Sequence, residues 1–170
     1  MKRKNSAQGF TVIEFFITLG VIAIISLIAF FIFNPLQRYK EARDMERQDE
    51  VEFLGNALAQ CIFNNGGRMP DSLSALKPGA NYIIGSAKSS CAKFCQTVDT
   101  ENECFDLSTA ICEMEKLFVP EYISSVPADP IGSRWDSERT GYYIQKTIQN
   151  DVVIGACSPE GTIIQSIKEL

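Results

Sequence analysis

Six cysteines and one misplaced glutamate are the side chains whose types and positions carry chemistry in this 170-residue chain. Cys61, Cys91, Cys95, Cys104, Cys112 and Cys157 form an even set. In a small exported domain such a set predicts disulfides, with the pairing left open by sequence, and the competing reading is a group of reduced, buried thiols. Zinc is disfavoured: Cys91 and Cys95 have a ligand-like spacing, but the chain has no histidine and no second tight pair. Without histidine, a GxSxG turn or a metal-ligand cluster, no nucleophile and base can be named, and the chain reads as a non-enzyme.

The glutamate is Glu14. It lies in Gly9–Phe33, GFTVIEFFITLGVIAIISLIAFFIF, and from Phe15 to Phe33 there is no other charge. At about 1.5 Å per helical residue this run can cross a hydrocarbon core about 30 Å thick. A carboxylate in such a segment costs about 2.5 to 3.5 kcal/mol, so Glu14 needs a partner unless it lies close enough to the membrane surface to stay hydrated. Lys2, Arg3 and Lys4 precede the run, and the next charge is Arg38. That asymmetry keeps the N-terminus cytoplasmic and sends everything after Phe33 outward, where disulfides form. Removing the three leader cations takes the net charge from −5 to −8, and nothing in the sequence suggests nucleic-acid binding through a basic patch. Phe30 to Pro35 lacks the small residues of an ordinary secretory cleavage site. The segment is therefore either an uncleaved anchor or is cut before the apolar run.

The positioning elements follow from pattern. One helix is expected from Phe10 to Phe63, with two helices broken at Pro35 as the alternative. Thr18 and Ser26 can return their hydroxyls to its backbone, and Gly20 suits close helix contact. Gln37 to Glu50 reads as a solvated stem, or one whose charges face other subunits, with i,i+3 pairs Arg43–Glu46 and Arg47–Glu50. Val51, Leu54, Leu58, Cys61 and Ile62 then supply a one-faced stripe that Asn64 to Gly67 stops. A short helix is expected over Asp71 to Lys77 with Asp71 as its cap, then a disulfide-stapled loop over Asn81 to Glu103. A further helix is expected over Leu107 to Phe118, capped by Asp106, with Leu107, Ile111, Met114, Leu117 and Phe118 as its stripe. Strands over Gly141 to Ile148, Asp151 to Cys157 and Thr162 to Ile167 close the chain as an antiparallel meander, although Ile163 to Leu170 also suits a helix. The fold class is α+β: a long N-terminal helix, transmembrane in its first half, whose end packs on a small antiparallel sheet of three to four strands. The part after the apolar run is long enough for one core.

Gly9, Phe10, Thr11, Val12, Ile13 and Glu14, behind a basic leader, resemble the processing site of type IV pilins and type II secretion pseudopilins. The resemblance implies that a prepilin peptidase cuts between Gly9 and Phe10, that Phe10 becomes N-methylated, and that Glu14 meets the amine of a neighbouring subunit. It divides the chain into a leader (1–9), a transmembrane polymerisation helix (10–35), the second half of the long helix (36–63) and an extracytoplasmic head (64–170). The implied partners are membrane lipid, further copies and related pilins, a platform membrane protein and an assembly ATPase. The implied location is a single-pass cytoplasmic-membrane protein and then an extracellular or periplasmic filament. Val126 to Pro130 resembles the pre-strand loop of major pseudopilins, some of which bind calcium, and this makes Asp129, Asp136 and Glu138 candidate ligands. The rival reading is an uncleaved single-pass protein whose head binds a ligand or a protein. It leaves the Gly9–Phe10 junction and Glu14 unexplained.

Overall fold

A continuous apolar run offers its backbone no outside partner in lipid, so its amides and carbonyls must pair internally. Val12–Phe33 accordingly forms helix α1. The computed structural model describes residues 9–168 except 93, 96, 114 and 115. The leader cations Lys2, Arg3 and Lys4, and Met114 of the expected stripe, lie outside the described residues. α1 is long and apolar enough to cross a membrane. Helical structure resumes as α2, Pro35–Asn64, so the single helix expected from Phe10 to Phe63 is interrupted at one residue. Asn34 sits in the left-handed region (φ 30°, ψ 68°). Proline cannot donate a backbone hydrogen bond and disfavours α geometry in the residue before it, and asparagine tolerates the left-handed alternative. Pro35 then serves as a first helical residue, and the Asn34 carbonyl accepts from the amides of Gln37 and Arg38.

The chain divides into two compact units between Tyr39 and Lys40. In the second, the sheet has order β1–β2–β3–β4, antiparallel throughout, with β1 Asn81–Ile83, β2 Tyr142–Lys146, β3 Val152–Ala156 and β4 Gln165–Lys168. The three expected C-terminal strands are present, the last as a strand rather than a helix. β1 is an addition inside the segment read as loop. Alternation sorts the side chains. Tyr82, Tyr142, Ile144, Val152, Ile154 and Ala156 share a core with Val51, Leu54, Leu58, Cys61 and Ile62 of α2. On the other face Ile83 and Tyr143 join Cys91, Trp135 and Cys157 in a second, smaller core, with Phe94, Val98 and Cys104 against it. The stapled loop after β1 therefore covers the sheet face that α2 does not. Tyr143 also lies across Gly155, its partner in the register, where a Cβ would come within 2.5 Å of the ring.

Two helix expectations are corrected. Asp71 is the first residue of α3, Asp71–Ser74, and Pro70 occupies the cap position. An acidic first residue suits the helix dipole without a side-chain cap. Over Leu107 to Phe118, Asp106 does accept the Ser108 amide at 3.1 Å, but it caps only a 3₁₀ turn, Leu107–Thr109. The chain then doubles back. Cys112 donates to Lys116 O at 2.7 Å and Phe118 to Ala110 O at 2.8 Å, before a short turn α4, Phe118–Glu121. Leu107, Ala110, Cys112 and Phe118 are buried while Ile111 and Leu117 are exposed, so the helical spacing does not describe the buried set. The Cys112 disulfide to α2 and Pro120 both favour the reversal over a continuous helix.

Candidate functional site

Gly9 and Phe10 are non-helical and exposed, and Phe10 retains 75% of its accessible surface. The helix starts at the next residues because Thr11 is an extended N-cap (φ −80°, ψ 151°) that forms a reciprocal capping box with Glu14. Glu14 N donates to Thr11 Oγ1 at 3.3 Å. Thr11 N and Thr11 Oγ1 both donate to Glu14 Oε2, at 3.0 and 2.8 Å. Glu14, in the first turn, is thus bonded to the residue that follows Phe10, and that residue, Thr11, is one that composition and spacing did not single out. Farther along α1, Thr18 Oγ1 donates to Phe15 O and Ser26 Oγ to Ile22 O, both at 2.8 Å. A Cβ at Gly20 would meet nothing within 4 Å.

Most of the polar start of α2 is exposed, but Arg43, Asp44, Arg47 and Glu50 form a face that is drawn into the second unit. Arg47 is fully buried: its Nε and Nη2 donate to both oxygens of Asp129, at 2.7 and 3.0 Å, and its Nη1 to Asp44 Oδ1 at 2.6 Å. Burial alone would pull the guanidinium's pKa down, but its hydrogen bonds to Asp129 and Asp44 and their charges outweigh it and leave it raised. One turn earlier Arg43 forks onto Glu160 at 2.6 and 2.7 Å, and that hydrogen bond holds Glu160 below the usual carboxylate range. Asp44 accepts the Glu160 amide at 3.0 Å, tying the turn before β4 to the helix. The expected i,i+3 partners Glu46 and Glu50 are replaced by acids from distant loops. Glu50 instead accepts from the Tyr142 hydroxyl. Burial pushes Glu50 up, against that bond, and burial together with the bond pushes Tyr142 up.

All six cysteines are paired: Cys61–Cys112, Cys91–Cys104 and Cys95–Cys157. The first fastens the end of α2 to the Ala110–Phe118 reversal, and the other two fasten the loop over the outer sheet face. Cys91 and Cys95 belong to different bridges, so their spacing is not that of a ligand pair. Of the calcium candidates, Asp129 directs both oxygens at Arg47 and accepts the Ile131 amide at 3.0 Å. Asp136 Oδ1 accepts the amides of Glu138 and Arg139 at 2.9 and 3.1 Å, and Glu138 is exposed. Among the described residues, no three cysteine, aspartate or glutamate side chains gather as a metal-holding group. A concavity lined by Arg68, Asp71, Ser72, Ser74 and Thr109 brings hydroxyls beside single charges, with no hydrogen bond joining these side chains to one another. Comparisons with known protein families, with curated proteins and with solved structures find no match for this chain.

Proposed function

We propose that this chain is a structural subunit of a type IV pilus or type II secretion-like filament. The observation that carries the reading is the order of parts at the start of α1: an exposed, non-helical Gly9–Phe10 junction, then a capping box that places Glu14 in the first turn of a helix otherwise apolar on every side. The junction is non-helical and exposed immediately outside the helix, where a peptidase can reach it. The cut frees an amine at Phe10. The apolar segment then waits in the cytoplasmic membrane with the disulfide-bonded head outside, and assembly transfers it from lipid to the sides of other copies. Head-to-tail contact that does not close into a ring generates the filament. The platform protein and ATPase of the assembly machine supply the work, and no cofactor enters this mechanism.

Intact-mass analysis of the mature chain tests the reading. The expected species begins at Phe10 and carries one methyl group, and Glu14→Ala inserts in the membrane but forms no filament. A mature chain that retains Met1 to Gly9 refutes the proposal and leaves an uncleaved single-pass protein with a binding head.

A further inference from the structure

We propose that this chain needs a disulfide isomerase as a folding partner: a dithiol protein of the export compartment that unmakes wrong bridges. In chain order the cysteines are Cys61, Cys91, Cys95, Cys104, Cys112 and Cys157, and the native bridges are Cys61–Cys112, Cys91–Cys104 and Cys95–Cys157. No bridge joins neighbours in that order. Cys91–Cys104 lies inside the loop closed by Cys61–Cys112, and Cys95–Cys157 crosses both. All six follow α1. With the N-terminus cytoplasmic, as the filament reading and its single-pass rival both have it, they leave the cytoplasm in turn from Cys61 to Cys157. A thiol oxidase outside takes two electrons and two protons from whichever pair meets first. Contact frequency falls about threefold for each doubling of the intervening loop. Cys95–Cys157 spans 62 residues, more than two doublings beyond Cys95–Cys104, so Cys95 meets the wrong thiol about tenfold more often. The right one also arrives last, because Cys157 directly follows β3. Cys91, Cys95 and Cys104 pack with Ile83 and Tyr143 of the finished sheet, which cannot guide them before β2 and β3 have emerged.

Repair is thiol–disulfide exchange. The isomerase thiolate attacks one sulfur of a wrong bridge, forming a mixed disulfide and releasing a chain thiolate. That thiolate attacks a second wrong bridge and displaces another, and the last chain thiolate displaces the isomerase. The number of bridges is unchanged and no electrons are gained or lost. Native Cys61, Cys91 and Cys157 are fully buried and Cys112 nearly so, which shields the correct set from further attack.

The test exports the full chain in bacterial hosts that keep the thiol oxidase and carry an intact isomerase, none, or one whose reactive cysteine is replaced by alanine. Free thiols are alkylated, and bridged peptides are identified by mass spectrometry without reduction, as a fraction of recovered chain. The intact isomerase is expected to give the native set. Without it, or with the inactive form, that set should fall at least about fivefold, replaced by bridges between neighbouring cysteines such as Cys95–Cys104. A variant carrying Cys91→Ser, Cys95→Ser, Cys104→Ser and Cys157→Ser has one possible pair, and Cys61–Cys112 should form equally in every host. An undiminished native set without isomerase overturns the proposal, as does rescue by the inactive form or isomerase dependence of the one-pair variant. Six free thiols in every host would instead refute the outward placement of this part of the chain, and the isomerase requirement with it.

Discussion

Arg47→Met removes a guanidinium that three hydrogen bonds have made part of the core, and its cost can be worked out from what remains. Arg47 and Asp129 each have no exposed side-chain surface. Without Arg47, the Asp129 carboxylate keeps the Ile131 amide at 3.0 Å but loses both guanidinium bonds and its counter-charge. Breaking one side of a buried pair costs about 3 to 5 kcal/mol, a large share of a domain stability of about 5 to 15 kcal/mol. With a urea slope of about 2 kcal/mol per molar, the unfolding midpoint should fall by about 2 M. The single tryptophan, Trp135, is the reporter: it is 3% exposed, and a Cβ at Gly141 would touch its ring at 2.9 Å and Asp129 Cβ at 2.8 Å. Gly141 has φ 84° and lets these two side chains close over it. Arg47→Met combined with Asp129→Leu removes the stranded charge and is expected to recover most of the loss, because burying apolar groups replaces burying ions. A loss under about 1 kcal/mol in the single variant, the range of an exposed pair, would falsify the claim that this network is dry. A double variant no better than the single would do the same.

The remaining predictions concern the same unit. Burial raises the Glu50 carboxyl, so its contribution to stability is complete below the unfolded value of about 4.3 and is lost as pH rises through the raised folded value. Glu50→Gln keeps an acceptor for Tyr142 without the charge, and urea midpoints from pH 4 to 8 should show a flatter profile with no loss at neutrality. A midpoint at pH 7 well below wild type would contradict this. The chain-entropy relation assigns about 4 kcal/mol to Cys61–Cys112, which closes 51 residues, and about 3 kcal/mol to Cys91–Cys104, which closes 13. Thiol labelling of the unreduced protein should find no reactive group. Paired serine variants should lose more stability at the first bridge than the second, and the reverse order would contradict the ranking.

Patterns with a strict period were legible. The stripe from Val51 to Ile62 is the buried face of α2, and the Tyr, Val and Ile content of Tyr142–Lys146 and Val152–Ala156 marked them as strands, although the burial of their second face was not read from it. The Leu107 to Phe118 stripe had the right spacing and the wrong structure, because a disulfide at Cys112 and a proline two residues past Phe118 act from outside the period. Arg47 was illegible for a different reason. Its local sequence offers Glu46 and Glu50 at helical spacing, while the acid that takes it, Asp129, is 82 residues away. A buried arginine is indistinguishable from a solvated one until the loop that brings its carboxylate is placed. Asp129 itself drew notice as a calcium ligand, and its oxygens meet a cation, but one supplied by the chain. Thr11 carried a usable signal, since threonine followed three residues later by glutamate ahead of an apolar run is the capping-box pattern.

The magnitudes at α1 separate two roles that a single segment would otherwise confound. Fifteen large apolar side chains between Val12 and Ile32 are exposed, none covered by the chain itself. At about 1.5 kcal/mol or more for each that leaves water, their transfer to an apolar surrounding is worth more than about 20 kcal/mol. Glu14 opposes this by only about 3 kcal/mol. In the proposed membrane setting, removing the acid therefore would not release the helix, and keeping it would not prevent insertion. Lipid and the flanks of other copies are equally apolar, so the hydrophobic term also changes little when the helix moves from one to the other. On the proposed filament reading, what distinguishes the two surroundings is the carboxylate, which lipid would leave half satisfied and a second copy's amine would complete. The weakest term in anchoring is thus the one able to choose docking, and loss of filaments with retained insertion in Glu14→Ala is the signature that this division requires.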